Sequence, residues 1–95
     1  MGETTIEYHL RDQIKAIGGK AYKFISPGNR GVPDRLVCLP KGKIIFVELK
    51  DKGKKPTSKQ LNKHAELIRL GYTVFVADCK AEVDKIIDYC KTVIS

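Results

Sequence analysis

The chain has 95 residues, 42% of them hydrophobic and 31% charged, with 18 Lys and Arg against 11 Asp and Glu for a formal net charge of +7. That composition excludes a wholly disordered chain and indicates one domain, residues 1-95, whose positive charge favours a polyanionic partner. The longest apolar runs, Ile44 to Val47 and Val74 to Ala77, are too short for a membrane span and no signal-peptide core opens the chain, so an intracellular protein with no membrane partner is expected.

From Thr4 to Ile17, Ile6, Leu10, Ile14 and Ile17 recur at three- and four-residue spacings, which predicts a helix with one buried face, closed by Gly18-Gly19. AYKFI, residues 21–25, is aromatic and β-branched and predicts a strand, followed by the loop SPGNRGVP. RLVCL and KIIFVELK then predict the arms of a hairpin, apolar on both faces as in a sheet covered by helices. Between them Pro40-Lys41-Gly42 predicts a three-residue loop, a type I turn with Pro at its favoured position and Gly left-handed. After the polar loop DKGKKPTS, a helix from Ser58 is expected to turn Leu61, Ala65, Ile68 and either Leu67 or Leu70 inward and to end at Gly71. TVFVAD, 73–78, predicts a buried strand, and a last helix from about Ala81 carries Val83, Ile86, Ile87, Cys90 and Ile94 on its inner side.

The expected fold is therefore α/β, in the order α-β-β-β-α-β-α, with a four-stranded mixed sheet flanked by helices and its third and fourth strands parallel. Tyr8, Tyr22, Phe24 and Tyr72 are expected in or near its core. That core is thin, because so small a domain buries only about 60 to 65% of its unfolded surface, and self-association is a natural expectation. Cys38, Cys79 and Cys90 form no CxxC pair and stand apart from His9 and His64, so neither a disulfide framework nor a zinc site is indicated.

The hairpin carries the chemistry. With a three-residue loop Leu39 pairs with Lys43, so Asp34 lies opposite Glu48, and Lys50 shares the face of Glu48 while Leu49 points away. Two converging carboxylates repel each other, and a divalent cation removes that penalty. Mg²⁺ is typically held by one or two carboxylates and several waters, so Asp34, Glu48 and the backbone carbonyl of Leu49 form the expected ligand set. A metal held there lowers the pKa of a bound water and stabilises charge on a scissile phosphate. Lys50 would orient the attacking water or stabilise the transition state, and the chemistry indicated is phosphodiester hydrolysis. Any one of the three residues alone reads as a solvated strand end or a turn. Together, beside a basic stretch, they read as a site.

In that stretch Lys52, Lys54 and Lys55 follow the catalytic strand directly, and Lys59 and Lys63 lie on the next helix. Lysine-rich turns often only keep a surface soluble, but this position favours contact with phosphates. Ser26, Asn29 and Arg30, in the loop that starts on the same side of the sheet, are expected to touch the substrate as well. Glu7 and Gln60 occupy the third positions of Thr4-x-x-Glu7 and Thr57-x-x-Gln60. Each fits a capping box, and the pattern alone leaves open whether it caps a helix or serves the site.

Pro33-Asp34, followed after a hairpin by Glu48-Leu49-Lys50, is similar to the PD-(D/E)xK nuclease signature, and the element order resembles that superfamily's restriction-endonuclease-like core. The wider string GVPDRLV…IIFVELKDKGKKPTSKQ…LGYTVFV resembles the virus-type replication-repair nuclease (VRR-NUC) domain, most strongly from Gly31 to Tyr72. The resemblance implies a Mg²⁺- or Mn²⁺-dependent DNA endonuclease, often for branched DNA such as a four-way junction or flap, with no small-molecule cofactor. It also implies a standalone bacteriophage-type member, working as a homodimer in the cytoplasm of a bacterial host. It carries over Asp34 and Glu48 as metal ligands, Lys50 as the catalytic lysine, Glu7 as a first-helix acid and further ligand, and Gln60 as the polar residue of the following helix. The last two are thereby tipped toward the site. SPGNRGVPD is compact where family members often have a longer stretch, so the substrate-facing loop is expected to differ. Two alternatives stand beside this reading: a non-catalytic nucleic-acid-binding module of the same fold, and a nuclease for linear DNA or RNA. The intact Asp, Glu and Lys speak against the first, since a pure binder gains nothing from carboxylates beside phosphates.

Overall fold

The computed structural model describes residues 4–95. The elements are α1 (Thr5–Ala16), β1 (Lys20–Lys23), β2 (Arg35–Leu39), β3 (Lys43–Leu49), α2 (Ser58–Arg69), β4 (Thr73–Ala77) and α3 (Lys80–Ile94), with a one-turn 3₁₀ segment, Pro40–Gly42, between β2 and β3. The four strands form one sheet in the order β1-β2-β3-β4. β1 and β3 each run antiparallel to β2, and β4 runs parallel to β3 across the α2 connection. The expected α/β architecture and element order are present.

Leu10 and Ile14 of α1 and Val83, Ile86, Ile87 and Cys90 of α3 pack with Val37, Leu39, Ile45, Val47, Leu49 and Ala77 of the sheet to form the core. Alternation along the strands places all six sheet residues on one face, and each aliphatic side chain so buried contributes about 1.5–3 kcal/mol. The other face has only α2 to cover it. Ile44 and Tyr22, on that face, remain exposed. None of the described helices is long and apolar enough to cross a membrane.

The hairpin register runs from Leu39↔Lys43 to Arg35↔Val47. One step further along the same alignment, Asp34 stands opposite Glu48. The turn is of a different type from the one expected. Lys41 and Gly42 both adopt left-handed backbone, with φ of 66° and 72°. That is the sign pattern of the primed turns, whose twist matches the strands they join. Three residues still separate Leu39 from Lys43, so the register is preserved.

Three further expectations are corrected. β1 ends at Lys23 and Ile25 is 82% exposed, because its partner β2 begins only after Pro33, which has no N–H to offer a neighbouring strand. The apolar stripe of α2 faces outward. Leu61 and Ile68 are 54% and 55% exposed, Ala65 and Leu70 are exposed too, and Leu67 is half-buried. The side facing the sheet is Gln60, His64 and Leu67, and the first two of these approach Glu48, so the face turned inward is polar where the periodicity predicts an apolar one. Tyr8, Tyr22 and Tyr72 are each nearly half exposed, although Tyr72 and Phe24 both pack on the ring of Phe46. A tyrosine can lay its ring on apolar neighbours and leave its hydroxyl in water.

Candidate active site

At one end of the sheet β2 begins, β1, β3 and β4 finish, and α1 and α2 start. Capping boxes fix both helix starts there: Thr4 with Glu7, and Thr57 with Gln60. A cleft of about 300 Å³ opens at this end, lined among others by Glu7, Lys23, Asp34, Arg35, Leu49 and Lys50.

Asp34 is anchored from both neighbouring chain segments, the ends of β3 and β1. Its Oδ1 accepts a hydrogen bond from the Leu49 N–H at 3.0 Å, and its backbone carbonyl accepts from the Phe24 N–H at 2.9 Å. Oδ2 lies 3.4 Å from Arg35 Nη1. Glu48, only 4% exposed, has Oε2 at 3.6 Å from Lys50 Nζ and 3.5 Å from Gln60 Nε2. The structure thus brings Asp34, Glu48, Leu49, Lys50 and Gln60 together.

The electrostatics follow from burial. It pushes both carboxyls above their ordinary range, and the charge of Asp34 pushes Glu48 further, against the pull of Lys50. The Leu49 N–H and Arg35 offset only part of the rise at Asp34. Among the described residues no three His, Cys, Asp or Glu side chains cluster as a ready-made metal site. Asp34 lining the cleft, with the buried carboxylate of Glu48 opposite it on the next strand, still fits a hard cation such as Mg²⁺, which keeps several of its waters. Asp34, Glu48 and the Leu49 carbonyl are the residues that would hold it.

Glu7 and Gln60 show how a cap can also face a site. Glu7 accepts from the Thr4 N–H through Oε1 at 2.9 Å and pairs with Arg35 through Oε2, so both its oxygens are engaged although it lines the cleft. Its carboxyl is held below the ordinary value, first by the Thr4 backbone hydrogen bond. Gln60 divides its amide: Oε1 accepts from the Thr57 N–H at 2.9 Å, and Nε2 points to Glu48.

The basic residues separate into two groups. Asn29, Arg30, Lys59 and Lys63 line one open depression together with Gly28 and Asn62. Ser26 supports it from below the turn, its hydroxyl accepting from Asn29 Nδ2 at 3.0 Å. Lys54 and Lys55 instead border a depression with Leu61, Val76, Asp78 and Glu82, on the β4 side. Asp78 accepts from the Gly53 N–H at 2.9 Å and so pins the lysine loop to the end of β4. Lys52 is exposed on that loop.

Sequence reasoning missed Arg35 and His64. Arg35 is buried and bridges Glu7 and Asp34, and the available signal was a charge at the inward position of an otherwise apolar strand. His64 is buried with Nε2 at 3.8 Å from Glu48 Oε1. Its signal was the four-residue spacing from Gln60, which puts both on one helical face.

The chain is 62% identical over 76 residues to "Putative nuclease p44" of Acyrthosiphon pisum secondary endosymbiont phage 1, spanning 80% of this chain and 82% of that protein. It also superposes on a solved structure described as "VRR_NUC domain" with a TM-score of 0.82 and 38% sequence identity, over 87% of this chain and 90% of that one. No family model matches it. With the hairpin register, the element order and these two relatives in agreement, the chain belongs to the VRR-NUC family of nucleases.

Proposed function

We propose that this nuclease is a Mg²⁺- or Mn²⁺-dependent endonuclease for branched DNA. The observation that carries the reading is the pair of opposed carboxyls, Asp34 lining the cleft and Glu48 buried opposite it, both raised by burial, with Lys50 3.6 Å from Glu48. Bound between them, a divalent cation would supply Lewis-acid activation of water and charge stabilisation on the phosphate. Asp34, fixed by the Leu49 N–H, and Glu48, fixed from α2 and by Lys50, supply the negative charge that holds it. Lys50 supplies a positive charge at the reacting phosphate, a role whose loss typically costs on the order of 10² to 10³ in rate. Arg30, Lys59 and Lys63 supply backbone contacts beside the cleft.

A four-way junction has twofold symmetry, and paired incisions need two active sites, which a homodimer supplies. The thin core and the exposed apolar residues of α2 support self-association. The phage relative supports action inside a bacterial host.

Incision of a labelled four-way junction, beside a flap, linear duplex and single strand, in Mg²⁺, Mn²⁺ and EDTA tests the reading. Metal-dependent cutting of the branched substrates, lost in Glu48→Ala and Lys50→Ala, is the expected result. Preferred cutting of linear DNA would reject the branched specificity, and cation-independent tight binding without cutting would leave a binding module.

A further inference from the structure

Two buried polar atoms in the described structure have no hydrogen-bond partner, Glu48 Oε1 and His64 Nε2, and they face each other at 3.8 Å. Each has lost water without gaining a partner, which proteins rarely tolerate. A side-chain adjustment of about 1 Å would close them into one N–H···O hydrogen bond and satisfy both. Position 64 lies on the sheet-facing side of α2, where a leucine would pack without that cost, while Leu61 and Ile68 on the same helix face outward. Gln60, one turn earlier, aims its amide nitrogen at the other oxygen of the same carboxylate. The helix therefore directs one side-chain nitrogen at each oxygen of Glu48.

We propose that His64 is a positioning residue for the nuclease site: as the Nε2–H tautomer it donates to Glu48 Oε1, and together with Gln60 it fixes the plane of the carboxylate that receives the divalent cation. The proposal rests on the reading of Glu48 as a cation ligand. Ligating carboxylates are themselves commonly hydrogen-bonded, and loss of such an outer partner weakens metal binding by about 10- to 100-fold. His64 acts through Glu48 and makes no claim on the substrate.

The test is calorimetric titration of Mn²⁺ and Mg²⁺ into the intact protein without DNA, for wild type, His64→Leu and His64→Gln, with circular dichroism to establish folding. His64→Leu is expected to bind each cation about 10- to 100-fold more weakly, and His64→Gln, which keeps an N–H donor, to recover most of the loss. Imidazole nitrogen spectra of the ¹⁵N-labelled wild type are expected to show Nε2 protonated, a readout that stands even if His64→Leu fails to fold. Undiminished cation affinity in a folded His64→Leu, or the Nδ1–H tautomer in the wild type, would overturn the positioning role alone. No cation uptake by the folded wild type would remove the cation-ligand reading and the proposal with it.

Discussion

Asp34 and Glu48 are held in a state that suits a cation better than it suits the free protein. Their folded pKa values lie above the ordinary 3.8 and 4.5, so between the ordinary and raised values the folded chain binds more protons than the unfolded one. The contribution of these two groups to stability is then fully present below the ordinary values and is lost as pH rises through the raised ones. Without divalent cations, Asp34→Asn keeps an acceptor for the Leu49 N–H and removes the repulsion on Glu48. Its melting temperature, relative to wild type, is expected to increase as pH rises from the ordinary carboxylate values through the raised ones. A difference that stays flat or declines over that range in thermal melts would contradict the assignment. Cleavage by the wild type should likewise rise with pH as the carboxylates ionise.

The loop before Asp34 is coupled to α2 by a contact that only glycine permits. Gly31 has φ of 91°, and a Cβ there would stand 2.7 Å from the Lys59 carbonyl oxygen. Gly31→Ala is expected to cost on the order of 1–3 kcal/mol in chemical denaturation and to part Arg30 from Lys59. The depression these residues share makes a second prediction. Arg30→Ala and Lys59→Ala should each reduce the slope of log K against log salt by about 1 in DNA-binding titrations. Lys54→Ala, at a position shared with Asp78 and Glu82, should change it less. The elements themselves were legible because their periods are strong and Gly or Pro marks their ends. The rotation of α2 was not, because a helical wheel weighs hydrophobicity and is blind to a buried carboxylate on the next strand.

Taken whole, the molecule has one well-filled layer between the sheet and the pair α1 and α3, and one thin layer under α2. Ligands that bind only the folded state stabilise it by mass action, so a cation at 100 times its Kd should add about 2.7 kcal/mol and raise the melting temperature of the wild type but not of Glu48→Ala. Sedimentation equilibrium at micromolar concentration is expected to give a dimer. A monomer would count against the two-site reading while leaving single-site hydrolysis intact.

The sequence by itself determined the element order and the α/β class, because periodicity and turn residues act locally. It also determined the opposition of Asp34 to Glu48, because a three-residue loop sets the register whatever the dihedral angles inside it. Tertiary structure decided what depends on atoms distant along the chain. Arg35 bridges Glu7 to Asp34, the basic residues divide between two depressions, and α2 turns Gln60 and His64 toward Glu48 while Leu61 and Ile68 face outward. The cost of burying a carboxylate depends on which polar groups surround it, and those neighbours come together only once the helix lies on the sheet.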